Sequence, residues 1–455
     1  MVRVAYRLRS TACTREARLG SKLIRALIPA TMPGWGAQAA RTFGVNALGM
    51  GLGFALQLVL ARALGVVEYG RYVYVITWVT IVSIACLLGY DTASLRFVAE
   101  HRARGEDAAA RGFMEQAQQY ALMLSVALAA LLFVLALMAD GGAVHAQLRS
   151  YAVGALLLPM TVLFHLHGYF LQALKRADEA LALQLVMRPL LLISGCIALV
   201  VYLRPPDAFR ALVLTLAATA LVVGLEVWRV RRLAPATSAP VRDETLRRRW
   251  RGTARSLFLV TLAHQVLANG DVLVVGLVIG TSDAGVYAVA AKLAAIVSFA
   301  TSSINFVLAP TIADLHARGR RGELQAAVNT ATRAALGYAV PVLAVMLAGG
   351  GWLLSRFGPS FEQGYTALIL LCLGQAAVAF NGAVGFLLTM TGHQDSALRV
   401  VSVTVLLMLV LASIFAHWWG IAGVAAAAAI AQGARGIALG RCVHRHLGLR
   451  GSVAA

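Results

Sequence analysis

Residues 255–306 read RSLFLVTLAHQVLANGDVLVVGLVIG followed by TSDAGVYAVAAKLAAIVSFATSSINF, two apolar runs flanking the short turn Gly280-Thr-Ser-Asp-Ala-Gly-Val-Tyr287. Each run is long enough to cross a hydrocarbon layer of roughly 30 Å. The first carries His264, Gln265, Asn269 and Asp271, and the second carries Lys292 and Asn305. Ionisable groups at that depth are costly and usually face a partner or a watery interior. This hairpin is therefore expected to be the working part of a polytopic membrane protein.

Composition agrees. The chain has 60% hydrophobic and 13% charged residues with a mean hydropathy of +0.76, whereas a soluble domain carries about 25% charge. An all-α, polytopic transmembrane bundle of about 12 helices follows, because the apolar runs are continuous over about 20 residues rather than alternating over about 10, as a β-barrel needs. Spans are expected over 42–64, 72–95, 116–138, 150–173, 180–202, 210–228, 255–279, 286–309, 333–354, 364–390, 397–417 and 420–440. A formal charge of +20 would suggest nucleic acid in a soluble protein. Here the arginines fall between the spans, 32 basic residues on one side against five on the other. The positive-inside rule explains that asymmetry, puts both termini in the cytoplasm and leaves no reason to expect nucleic acid. Cys13, Cys86, Cys196, Cys372 and Cys442 show neither metal-ligand nor paired spacing, so no disulfide framework and no metal site are expected.

The expected organisation is a basic cytoplasmic arm (1–41), a six-helix bundle (42–228), a basic cytoplasmic linker (229–254), a second six-helix bundle (255–440) and a cytoplasmic tail (441–455). The linker is assigned from Pro235, Pro240 and a dense arginine run, since proline and charge concentrate where helical burial stops. The outer connections are short and leave no room for an external catalytic domain.

An internal repeat supports the division. Ala63–Tyr72 resembles Val278–Tyr287 at an offset of 215 residues, with Gly65 on Gly280, Gly70 on Gly285 and Tyr72 on Tyr287. Without a gap, Ile81–Ala85 then falls on Ile296–Ala300. Glycine permits positive φ or a close backbone approach at such a turn, and tyrosine suits a membrane interface. Both copies start from one side, so two pseudo-symmetric halves related by an axis near the membrane normal are expected, with a cavity between them as in many transporters.

The motifs Leu60-Ala-Arg-Ala-Leu-Gly65, Tyr69-Gly-Arg-Tyr72 and Gly89-Tyr-Asp-Thr-Ala93 open the resemblance, with Leu95-Arg-Phe-Val-Ala-Glu100 following. Gln265, Asp271, Gly285-Val-Tyr287, Pro310, Gly358-Pro-Ser-Phe361, Thr389-Met-Thr-Gly392 and Trp419-Gly-Ile-Ala-Gly423 continue it. In this order and topology the chain resembles the polysaccharide flippases of the multidrug/oligosaccharidyl-lipid/polysaccharide transporter superfamily. The resemblance implies movement of a polyprenyl-diphosphate-linked oligosaccharide to the outer leaflet of the bacterial cytoplasmic membrane by alternating access. It also implies a cavity lined by the first, second, seventh and eighth spans, coupling to an H⁺ or Na⁺ gradient without a resident cofactor, and work beside a polysaccharide polymerase. An exporter of small soluble substrates and a membrane polymerase or ligase are the rivals; short outer loops and repeated halves disfavour the enzyme.

Several polar residues invite a role in such a cavity. Asp271 and Lys292 lie at similar depth on consecutive helices when depth is counted from the middle of the turn. A protonation-responsive ion pair and a structural tether both fit. His264 shares a helix face with Asp271, and Gln265 and Asn269 lie four apart on a neighbouring one. Binding of sugar hydroxyls and helix–helix hydrogen bonding both fit this polar sector. Arg188 has the donors for a diphosphate or for a structural carboxylate. Arg62 is expected to snorkel, and Asp91 to pair with Arg96 as a latch or an interfacial ion pair. Pro341 is expected to bend its span. The arginine-rich surfaces are expected to meet phospholipid headgroups.

Overall fold

The computed structural model describes residues 35–138, 145–202, 207–234 and 243–449. The N-terminal arm up to residue 34, residues 235–242 of the expected linker with their prolines, and the last six residues lie outside the described residues. All regular elements among the described residues are helical.

The first helix, α1 (Trp35–Leu87), is 53 residues long. At about 1.5 Å per residue that is far more than one hydrocarbon thickness. Gly65, at φ 72° and ψ 173°, breaks it into two antiparallel spans. After a second break at Leu88 and Gly89 come α2 (Tyr90–Ala103), α3 (Asp107–Met138) and α4 (His145–Ala173). The next span is α5 (Ala177–Leu181), a π-helical turn over Ala182–Met187, and α6 (Arg188–Tyr202). Pro189 explains the widened turn: its ring has no N–H to donate and crowds the carbonyl four residues earlier, at Leu185. Then follow α7 (Ala208–Leu233), α8 (Glu244–Val278), α9 (Thr281–Ala317) and α10 (Arg321–Ser355). A 3₁₀ turn over Pro359–Gly364 leads to α11 (Tyr365–Asn381), α12 (Val384–Met390) and α13 (Gln394–Leu447). Gly420, at φ 57° and ψ −139°, breaks α13 as Gly65 breaks α1.

Ten helical stretches are long and apolar enough to cross a membrane. Two of them, α1 and α13, each hold two crossings because of their glycine breaks, so the expected twelve spans are present. Helices α3 to α7 pack with α1 in one set, and α8 to α13 pack in another. The two sets meet chiefly where α1 and α2 touch α8 and α9.

Two expectations change. The linker expected at 229–254 is much shorter, because α7 continues to Leu233 and α8 already starts at Glu244. Asp243 caps α8 by accepting from the amides of Thr245 and Leu246. The Thr245 hydroxyl, with those amides, holds the Asp243 carboxyl below its ordinary range. Arginine is a good helix former, and the run keeps one apolar stripe: Trp250 is fully buried against Phe113 and His101. Secondly, Asp91 and Arg96 do not pair. Five residues on a helix point about 140° apart, and Arg96 lies instead 3.9 Å from Glu100. Pro341 lies inside α10, which stays helical through it, and Gly382 separates α11 from α12, at φ 60° and ψ −130°.

Candidate functional site in the cleft between the two halves

The repeated glycines meet each other. A Cβ on Gly285 would lie 2.7 Å from the Gly70 Cα, and one on Gly70 would lie 2.1 Å from the Thr281 carbonyl oxygen. Only glycine at both positions lets the second span of α1 touch α9 backbone to backbone. Aromatic side chains complete this seal, with Tyr69 edge-on to Phe361 and Phe54 edge-on to Phe357. The Arg62 Nε donates to the Arg356 carbonyl at 2.5 Å, so Arg62 bridges the halves. Gly65 and Gly280, both at positive φ, form the turns beside this seal, as the repeat predicted.

A second line of contact runs along α1–α2 and α8 toward the arginine-rich end. Gly276 packs on the Tyr74 ring and Gly89 on the backbone of Ala254 and Phe258. Thr92 bonds Thr261 at 3.4 Å, and the Trp250 Nε1 donates to His101. Arg249 reaches Glu100 at 3.5 Å.

Between these contacts the facing surfaces become accessible. Lys292 is seven residues beyond Gly285, so it lies two turns from the seal and on the same face of α9. Lys292, Ala295 and Ser302 are exposed along that stripe. On α8, His264 and Ala268 are exposed. They lie roughly opposite, by helical rotation, the outward residues Leu259 and Leu277. The exposed α9 stripe continues the Gly285 face that touches Gly70, so it turns toward the N-terminal half, and the exposed α8 stripe lies beside the α8 face that packs on α1 and α2.

Asp271 is buried, 7% exposed. Its carboxylate accepts from the Tyr287 hydroxyl at 2.8 Å and from the Val272 amide at 2.9 Å. It forms no ion pair with Lys292. The turn is only Ile279 and Gly280, and α9 begins at Thr281. Tyr287, not Lys292, therefore comes level with Asp271, and Lys292 is about 140° further round the helix. The first hairpin has an analogous tie missed in the sequence, Tyr69 donating to Gln57 at 2.5 Å. Tyr72, the repeat partner of Tyr287, is within hydrogen-bond distance of Thr215 instead.

Gln265 and Asn269 are half-buried on the α8 face turned toward α1 and make no hydrogen bond among the described residues. Asn305 is buried and donates to the Gly382 carbonyl at 3.5 Å, where it holds the α11–α12 break. Asp91 is buried at the start of α2, and neither carboxylate oxygen has a hydrogen-bond partner.

Arg188 does not join these residues. Its guanidinium stacks over Phe164 at 4.7 Å, inside the N-terminal half. Nearby Glu226 is fully buried and accepts from Gln184 at 2.9 Å. Sequence reasoning overlooked Glu226 because it sits near a span end, beside Trp228 and Arg229. Its signal was its spacing: Thr219 and Glu226, seven apart, share a face of α7, as Gln184 and Arg188, four apart, share one on the preceding span. No group of three metal-ligating side chains occurs among the described residues.

A family model described as polysaccharide biosynthesis protein matches residues 36–316. A search of curated proteins finds no match. Among solved structures, the lipid II flippase MurJ in an inward closed conformation aligns with a TM-score of 0.71 at 13% identity, covering 88% of this chain and 87% of that one. An inward-facing multidrug resistance MATE family transporter of the MOP superfamily gives 0.69 at 14%, covering 88% and 96%. A MOP superfamily transporter from Pyrococcus furiosus, described as having a binding pocket of reverse polarity, gives 0.59 at 16%, covering 88% and 93%. Identities this low establish a shared fold.

Proposed function

We propose, from the premise that the chain belongs to the polysaccharide biosynthesis protein family, that it is a flippase for a polyprenyl-diphosphate-linked oligosaccharide. The cargo passes from the inner to the outer leaflet of the cytoplasmic membrane, and no covalent bond is made or broken. The single observation that carries this reading is the glycine contact between the halves, with exposed Lys292 on the same face of α9 and exposed His264 on α8. A cationic, hydrogen-bonding surface suits a glycan diphosphate, while the polyprenyl tail stays in lipid. The fold shared with the lipid II flippase supports the same class of cargo.

In this reading Lys292 attracts the diphosphate, and His264, Gln265 and Asn269 receive sugar hydroxyls. Transport alternates between the state sealed at Gly70–Gly285 and one sealed at the opposite end, driven by an H⁺ or Na⁺ gradient. The arginine-rich end is cytoplasmic, by the positive-inside rule, and glycan polymerisation follows on the outer face.

The test is conditional depletion, with polyprenyl-linked glycans measured by mass spectrometry and their leaflet read by an impermeant glycan-cleaving enzyme. Glycan accumulating beyond reach of the enzyme is expected, and its composition names the cargo. Normal outward delivery in a verified null strain lacking a second transporter refutes the reading and favours export of a soluble substrate.

A further inference from the structure

Away from these faces, the C-terminal helices enclose a groove of about 1010 Å³. Its floor is α11, on which α10 and α13 both pack, and these two form its walls. Three large apolar side chains along it are strongly exposed: Val340 on α10, Phe380 on α11 and Ile437 on α13. Gly433 and Gly440 keep the α13 wall low, and a Cβ built on either meets nothing within 4 Å. This is space for a hydrocarbon chain running along the bundle.

One end of the groove is chemically different. Arg441, His444 and Arg445 line it at the arginine-rich end of α13. All three are exposed and have no ion-pair partner among the described residues. Arg333, also exposed, stands one turn from the groove residue Leu336. No carboxylate lines the groove. Unpaired cations at the membrane surface, continuous with an apolar channel at membrane depth, complement a molecule with an anionic head and a hydrocarbon tail.

We infer that this groove is a binding site for a resident anionic phospholipid, its phosphate among Arg441, His444 and Arg445 and an acyl chain over Phe380 and along Gly433 and Gly440. A resident phospholipid suits it better than the carried polyprenyl lipid, because the groove lies on α10, α11 and α13 and not on the α8 and α9 faces that carry His264 and Lys292. The inference rests on membrane embedding alone and is independent of the flippase reading.

The test is native mass spectrometry of the full chain titrated with phosphatidylglycerol, phosphatidylcholine or undecaprenyl phosphate. Phosphatidylglycerol is expected to be retained at about tenfold lower concentration than phosphatidylcholine. The triple variant Arg441→Gln, His444→Gln, Arg445→Gln brings the two lipids to parity. Gly440→Leu fills the channel and weakens both by about tenfold, with the elution profile and melting point of wild type as the check on folding. Equal retention of the two phospholipids by wild type overturns the inference, as does undiminished phosphatidylglycerol retention in both variants. Undecaprenyl phosphate held at tenfold lower concentration than phosphatidylglycerol gives the groove to the substrate's tail and also overturns it.

Discussion

Gly70 and Gly285 touch across the two halves so closely that a methyl group on Gly285 would lie 2.7 Å from the Gly70 Cα. Both neighbours of that contact are backbone, so a side chain there cannot be absorbed by rotamer change. Gly285→Ala should force the turn ends of α1 and α9 apart. Overpacking costs about 1–3 kcal/mol, which shifts a two-state equilibrium by roughly 5- to 150-fold away from the sealed state. Spin labels at Val67 and Glu362, both exposed and near this end on opposite halves, should report a longer mean distance in Gly285→Ala than in the parent. An unchanged distance distribution would show that the seal is not under this contact's control.

The buried Asp271–Tyr287 bond is expected to act as a tie within the α8–α9 hairpin. Tyr287→Phe leaves the carboxylate with the Val272 amide alone. The expected loss is about 1 kcal/mol, the scale of side-chain hydrogen bonds between membrane helices. Asp271→Asn keeps an acceptor and should lose less than Asp271→Ala. The double variant Tyr287→Phe, Asp271→Ala should fall short of the sum of its parts, since either change alone breaks the bond. Thermal unfolding of the detergent-solubilised protein provides the cycle, and strict additivity would mean the bond contributes nothing.

Lys292 gives the opposite signature. It is exposed, forms no ion pair within 4 Å and is close enough for charge interaction with Asp271, so Lys292→Met should lower stability by no more than about 1 kcal/mol. Transport should fall at least tenfold if the ammonium meets the diphosphate, and Lys292→Arg should recover part of it. Flux is read as glycan newly accessible from outside in a depleted strain. Wild-type flux in Lys292→Met would remove this residue from the mechanism.

What was legible in the sequence follows from how each signal arises. Twelve spans could be read because hydrocarbon enforces continuous apolar runs, and the glycine repeat could be read because backbone contact at Gly70 and Gly285 admits one residue type. The Asp271 partner could not be read from depth alone. Placing the turn's centre between Gly280 and Gly285, rather than at Gly280, moved the expected partner from Tyr287 to Lys292. The extent of the linker was hidden for another reason: its arginines suggest solvent, while Trp250 alone tells of a buried stripe. Glu226 looked like a surface residue because it stands beside Trp228 and Arg229, while its partner Gln184 comes from another span.

That N-terminal cluster supplies the last prediction. Glu226 is fully buried, with one carboxyl oxygen on Gln184 and the other unpartnered. Arg188 is close enough for charge interaction with Glu226, yet no ion pair forms within 4 Å and its Nε has no partner. Glu226→Gln keeps the acceptor for Gln184 and removes a buried charge, so it should change stability by less than about 1 kcal/mol. Glu226→Ala leaves the Gln184 amide without this acceptor and should cost about 1–3 kcal/mol. Arg188→Met removes the cation stacked on Phe164, which interacts with Glu226 from beyond ion-pair distance, and should cost about 0.5–3 kcal/mol. The double variant Arg188→Met, Glu226→Gln removes both charges and should recover part of that loss. Melting points of the four proteins decide the matter. If the double variant is no more stable than Arg188→Met, the two groups do not compensate each other, and Arg188 stabilises this half through its stacking on Phe164 alone.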